Sequence, residues 1–86
     1  MTYRIELTPA ARRDLAKLPK DVLPRIDAHI LALAQNPYPS GAKKLHGPEG
    51  FFRVRVGDYR ILYRVERQRL VILIIRAGHR REIYRT

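Results

Sequence analysis

The chain has 86 residues, enough for one two-layer core and too few for a second domain. Its 18 Lys and Arg outweigh 8 Asp and Glu, and a formal charge of +10 points to polyanionic partners: nucleic acid, acidic protein segments or an anionic membrane surface. Cysteine is absent, which excludes disulfide scaffolds, thiolate metal sites and cysteine nucleophiles. Met1 to Leu7 is too short and too polar for a secretory signal, and the longest apolar run, Leu70 to Ile75, falls far short of the ~20 residues that span a bilayer. A soluble, cytoplasmic chain is expected.

Thr2 to Leu7 alternates Tyr3, Ile5 and Leu7 with polar residues, the period of a half-buried strand. Thr8-Pro9 then reads as an N-cap and first helical residue, because proline lacks only an N–H that has no partner there. The predicted helix runs from Pro9 to Leu18 and buries Ala11, Leu15 and Leu18. Pro19 stops it. Asp21 is placed to cap a second helix that carries Leu23, Ile26, Ile30 and Leu33 at helical spacing and ends at Asn36-Pro37.

The proline- and glycine-rich stretch from Pro37 to Gly50 reads as a loop holding Lys43, Lys44 and His46. Phe51 to Val56 and Tyr59 to Val65 form a hairpin around Gly57-Asp58, where glycine tolerates the positive φ of a two-residue turn. Leu70 to Arg76 is continuously apolar up to its last residue, as expected of a central strand covered on both faces. The predicted fold is α+β: an N-terminal strand, a two-helix hairpin, then an antiparallel three-strand meander, giving one curved sheet with the helices on one face.

A loop at Gly57-Asp58 pairs Val56 with Tyr59, Arg55 with Arg60, Val54 with Ile61, Arg53 with Leu62 and Phe52 with Tyr63. Apolar residues then meet apolar partners, with Tyr59 and Tyr63 in the core. The other face gathers Arg53, Arg55, Arg60 and Arg64. Arg55 opposite Arg60 is unfavourable for stability, so an anion visiting that face is the better explanation. The plain alternative is a solvated outer face whose arginine stems cover apolar sheet. Against it stands the clustering, because Arg76, His79, Arg80, Arg81 and Tyr84 follow closely with few carboxylates among them.

Arginine suits phosphate: its planar fork donates two parallel hydrogen bonds and stays charged. His79 and Tyr84 are the side chains of this set that can move protons. Together the residues could cleave RNA: a base takes the 2′-OH proton, arginines stabilise the phosphate, and an acid protonates the leaving 5′ oxygen. No metal constellation competes, since the three histidines are scattered and lack carboxylates at ligand spacing. Lys43, Lys44 and His46 are a solvated loop or a further RNA contact, and His29 reads as a packed or surface histidine.

The strand followed by Thr8-Pro9-Ala10-Ala11-Arg12-Arg13-Asp14-Leu15, the loop Lys43-Lys44-Leu45-His46-Gly47, the hairpin Phe52 to Tyr63 and the closing Gly78-His79-Arg80-Arg81-Glu82-Ile83-Tyr84 occur in the order of one family. In these features the chain resembles the RelE toxins of toxin–antitoxin pairs, within the RelE/ParE superfamily, as a single RelE-like domain over 1–86. The resemblance implies a type II toxin that enters the ribosomal A site as an mRNA interferase. Such a toxin cuts mRNA to a 2′,3′-cyclic phosphate and a 5′-OH without cofactor or metal, and is silenced by a RelB-like antitoxin with an acidic segment.

It also implies roles. Arg60 matches the arginine on the scissile phosphate, Arg80 the proton donor or leaving-group stabiliser, with Arg81 as its alternative, and Tyr84 the tyrosine near the 2′-OH. Arg53 and Arg55 stand where well-studied relatives have lysines; arginine does not deprotonate, so the base is Tyr84 or His79. Only Arg85 and Thr86 follow Tyr84, so the additional C-terminal helix of some relatives is not expected. Lys43, Lys44, His46, Arg64, Arg76 and Arg81 are expected RNA contacts. The competing readings are a ParE-like toxin that inhibits DNA gyrase by binding and a plain RNA-binding module.

Overall fold

The computed structural model describes residues 2–47 and 49–79. Arg80, Arg81 and Tyr84 of the expected site lie outside the described residues. The elements are β1 (Arg4–Leu7), α1 (Pro9–Ala16), α2 (Leu23–Gln35), β2 (Ala42–Lys44), β3 (Phe51–Val56), β4 (Tyr59–Glu66) and β5 (Val71–His79). They build one sheet in the order β1-β5-β4-β3-β2, with β1 parallel to β5 and every other pair antiparallel.

Thr8 caps α1 as expected, its hydroxyl accepting the Ala11 N–H at 3.0 Å, with Pro9 in the first turn. The helix ends at Ala16, two residues before the predicted Leu18. Lys17 and Leu18 instead donate to Asp14 and Leu15, the tighter spacing in which helices often terminate. The start of α2 differs too. Its N-cap is Val22, not Asp21, and no side chain caps it; a turn in which the Val22 and Leu23 N–H groups both reach the Pro19 carbonyl feeds the helix instead.

The two helices cover one face of the sheet. Ala11 of α1 and Ile26, Ile30 and Leu33 of α2 pack with Val54, Val56, Ile61, Tyr63, Val65, Ile72, Ile74 and Ala77. The hairpin register is the predicted one from Val56↔Tyr59 to Phe52↔Tyr63. Gly57 sits at φ 61° while Asp58 is not left-handed, the signature of a type II′ turn.

Two departures matter for the site. The loop from Pro37 to Gly50 contains an edge strand, β2, whose three residues Ala42-Lys43-Lys44 are too short and too polar to show a strand period. And β5 continues three residues beyond Arg76, because Tyr59, Arg60 and Ile61 still offer partners to His79, Gly78 and Ala77. Between Leu62 and Tyr63 the pairing skips from Arg76 to Ile74, leaving Ile75 as a bulge. The bulge reverses the alternation, so Arg76 and Gly78 share a face with Arg60, while Ala77 and His79 turn to the helix side.

Tyr63 is fully buried, and its hydroxyl donates to the Pro37 carbonyl at 2.8 Å, tying the loop after α2 to the core. Burial, with Tyr38 beside it, pushes the Tyr63 hydroxyl up to about 12. An unfolded tyrosine titrates near 10, so its contribution to stability is whole below about pH 10 and is lost as pH rises toward about 12. Tyr63→Phe is expected to cost about 1–2 kcal/mol at neutral pH by leaving the buried Pro37 carbonyl without its donor. In urea unfolding the gap between the two proteins should narrow above about pH 10.

Candidate nucleic-acid interface

The face away from the helices collects the cations. Register places Lys43 of β2 opposite Arg53, Arg55 opposite Arg60, and Gly78 of β5 on the other side of Arg60. Arg60 therefore lies in the middle of the sheet, flanked by an arginine and by a residue with no side chain. Its guanidinium is held down, with the residue only 7% exposed, and no buried side-chain nitrogen or oxygen among the described residues lacks a hydrogen-bond partner. Arg53 is half-buried and Arg55 exposed. Arg55 makes no ion pair among the described residues.

Other predicted residues are placed differently. Arg64 shares the face but lies at the far end of β4, over the Phe51 ring at 5.5 Å and 4.0 Å from Glu66. Lys44 pairs with Phe52 and so faces the helix side, where it lines a groove of about 710 Å³ with Tyr38, Phe52 and Arg67. His46 is exposed in the turn after β2. His79 pairs with Tyr59, and the rings meet edge to face at 5.5 Å between centroids on the helix-bearing face. The bulge thus turns His79 away from the arginines. Among the described residues no three His, Asp or Glu are placed to hold a metal ion.

Arg76 belongs to a clasp that the sequence did not reveal. β1 ends at Leu7, opposite Ile74, and beyond it the free edge of β5 runs along α1. Thr8 donates to this edge twice, from its N–H to Ile74 at 3.0 Å and from its hydroxyl to Ile75 at 2.8 Å. Asp14 then accepts the Ala77 N–H at 3.0 Å and both arms of the Arg76 guanidinium at 2.7 and 3.1 Å. A carboxylate on a helix thus takes the place of a missing strand and fixes the end of β5 beside Arg60. Nothing local marks Asp14, because its partners are more than sixty residues away in the chain.

Burial would raise the Asp14 pKa. The hydrogen bond from Arg76, that from Ala77 and the charges of Arg76 and Lys17 outweigh it and hold the carboxyl below its ordinary value. The sign follows: the clasp contributes fully above the unfolded value of about 4 and fails as pH falls through the lower folded value. Thermal unfolding of the native chain should therefore lose stability more steeply below about pH 4 than Asp14→Asn does, the two converging in strong acid.

Comparison with known proteins agrees with this architecture. A family model described as the ParE toxin of type II toxin–antitoxin systems, parDE, matches residues 5–84. Toxin RelG of Mycobacterium tuberculosis is 36% identical over 86 residues, spanning 99% of both chains. Putative toxin RelE1 of Methanocaldococcus jannaschii is 30% identical over 88 residues, spanning 99% of this chain and 98% of the relative. Among solved structures, the RelBE2 toxin–antitoxin complex of M. tuberculosis superposes at a TM-score of 0.80 with 35% identity, covering 93% of this chain and 100% of that one. The archaeal RelE–RelB complex of Pyrococcus horikoshii gives 0.81 with 31% identity over 100% of both.

Proposed function

Because the chain belongs to the ParE toxin family of type II toxin–antitoxin systems, and its named relatives place it among the RelE toxins, we propose that it is a ribosome-dependent mRNA endoribonuclease. The observation that carries the reading is Arg55 set directly against Arg60 with no carboxylate answering Arg55 among the described residues. A folded sheet gains nothing from that pairing; a phosphate between the two would reverse its sign.

In the proposed reaction the 2′ oxygen attacks the adjacent phosphorus and gives up its proton, and the 5′ oxygen leaves and takes one, producing a 2′,3′-cyclic phosphate and a 5′-OH. Arg60 grips the scissile phosphate, with Arg53 and Arg55 spreading the charge that develops on its oxygens. Tyr84 is the proposed base and Arg80 the group at the leaving oxygen, both carried from the family resemblance. His79 is the weaker candidate for the base, because its ring packs on Tyr59 across the sheet from the arginines. The steps call on no metal.

The relatives from M. tuberculosis and P. horikoshii were solved as toxin–antitoxin complexes. This toxin pairs likewise with a cognate antitoxin, whose acidic segment would cover the basic face and block RNA. No helix of the described residues is long and apolar enough to cross a membrane, and the proposed place of action is the cytoplasm, with the ribosome. Gyrase inhibition is not favoured, since the named relatives are RelE and RelG toxins.

Programmed ribosomes incubated with the toxin should yield new 5′-OH ends within A-site codons. Arg55→Ala should slow cleavage by roughly ten- to a hundred-fold, the ~1.5–3 kcal/mol of a hydrogen bond to a charged group. Tyr84→Phe should abolish it with the circular dichroism spectrum unchanged. Intact mRNA with the native toxin would refute the nuclease reading.

A further inference from the structure

Polar groups that the proposed reaction leaves unused gather just around the edge of β3. β2 pairs with β3 only as far as Val54, so Arg55 runs past the end of its neighbour. There the segment 36–41 leaves a groove of about 350 Å³ between the C-terminal half of α2 and β3. Ala32, Leu33 and Val54 give it an apolar floor, and His29, Asn36, Ser40 and Arg55 a polar wall. The volume is near the lower end of the ~300–1,000 Å³ of small-ligand sites.

The lining is fixed before any ligand arrives. Asn36 Oδ1 accepts the Tyr38 N–H at 3.1 Å, Tyr63 holds the Pro37 carbonyl at 2.8 Å, and the Ala42 N–H closes a turn on Pro39 at 2.9 Å. These bonds also decide which atoms remain. With Oδ1 engaged, Asn36 offers its amide donors. His29 Nδ1 lies 2.9 Å from the Arg25 carbonyl, which can only accept, so Nδ1 carries a proton and Nε2 is the ring atom left to a partner. An apolar floor beside an amide, an imidazole and a hydroxyl matches a nucleobase with its ribose: a flat face to stack, an edge of donors and acceptors, a 2′-OH. Arg55 is common to the groove and the arginine face.

We infer that this groove is a nucleotide subsite, seating the base and ribose next to the scissile phosphate while Arg55 holds the phosphate as the strand rounds the edge of β3. The inference rests on the ribonuclease reading and names where that enzyme reads sequence: base preference beside the cut is set in the groove, chemistry on the arginine face.

Two measurements test it. Mapping of 5′-OH ends on programmed ribosomes should show that Asn36→Ala with Ser40→Ala, or Ala32→Phe to fill the groove, flattens the preference among bases at one position beside the cut by roughly ten-fold. Separately, a short oligoribonucleotide made non-cleavable by a 2′-deoxy sugar at the scissile position, added to the isolated toxin, should shift the backbone amide resonances of Ala32, Gly41 and Val54 together with that of Arg60. An unaltered base preference in both variants overturns the subsite, as do shifts confined to the arginine face. Shifts in the groove produced by the antitoxin and not by the oligonucleotide assign it to protein and also overturn it. If the native toxin cuts nothing while the oligonucleotide still shifts the groove, the ribonuclease reading fails and the nucleotide subsite stands.

Discussion

The pairing of β3 with β4 across Gly57-Asp58 is the constraint on which the rest depends. Side chains alternate across a strand, so one residue of slip of β3 against β4 would drive Arg53 and Arg55 toward Ile26 and Leu33 and expose Val54 and Val56 to water. Two buried charges would cost a large part of what a domain of this size has in reserve. The turn enforces the register: Gly57 takes φ 61°, and a Cβ there would stand 3.1 Å from Arg25 Nη2. The same pairing that hides the apolar residues therefore assembles the cations, so the core and the candidate site are two faces of one register.

What the hairpin places in the middle of the sheet, α1 completes at the edge. β1 is four residues long and β5 nine, so more than half of that edge would be open were the helix elsewhere. Thr8 does two jobs there, capping α1 and bonding β5, and Asp14 supplies the acceptor that a longer strand would have brought. The bidentate contact to Arg76 is stronger than an exposed ion pair because both partners are half-buried and geometrically fixed. It anchors β5 two residues before Gly78, the residue that pairs with Arg60.

Much of this was legible from local pattern. The β3–β4 register followed from one glycine turn and two apolar periods, and the first helix from a threonine and a proline. The signals that failed share a cause. β2 has no period in three residues, and its lysines are what edge strands use to discourage further pairing. The bulge at Ile75 lies within a run of apolar residues, where period-two phase cannot be seen. Counted by alternation from buried Ile74, His79 falls with the arginines; in the folded sheet it lies against Tyr59. Asp14 could not be found at all, because its meaning comes from residues on the last strand.

The treatment of charge separates structural arginines from the proposed functional ones. Arg4, Arg69 and Arg76 each meet a carboxylate within 3.0 Å, and Arg64 has both a ring and a more distant carboxylate. Among the described residues no carboxylate forms an ion pair with Arg55. Local rules of strand pairing are broken at Arg55 opposite Arg60 and at Lys43 opposite Arg53, two like-charged pairs on one face, and such exceptions are where folded proteins put function ahead of stability. Two like charges set face to face cost the free toxin stability, and a bound anion would offset that cost. Any polyanion that settles there, whether RNA or the acidic segment of an antitoxin, should raise the toxin's stability with the logarithm of its concentration relative to its dissociation constant. Under the proposed function, RNA and an acidic antitoxin segment would compete for the same cationic face, so that inhibition and substrate binding exclude one another.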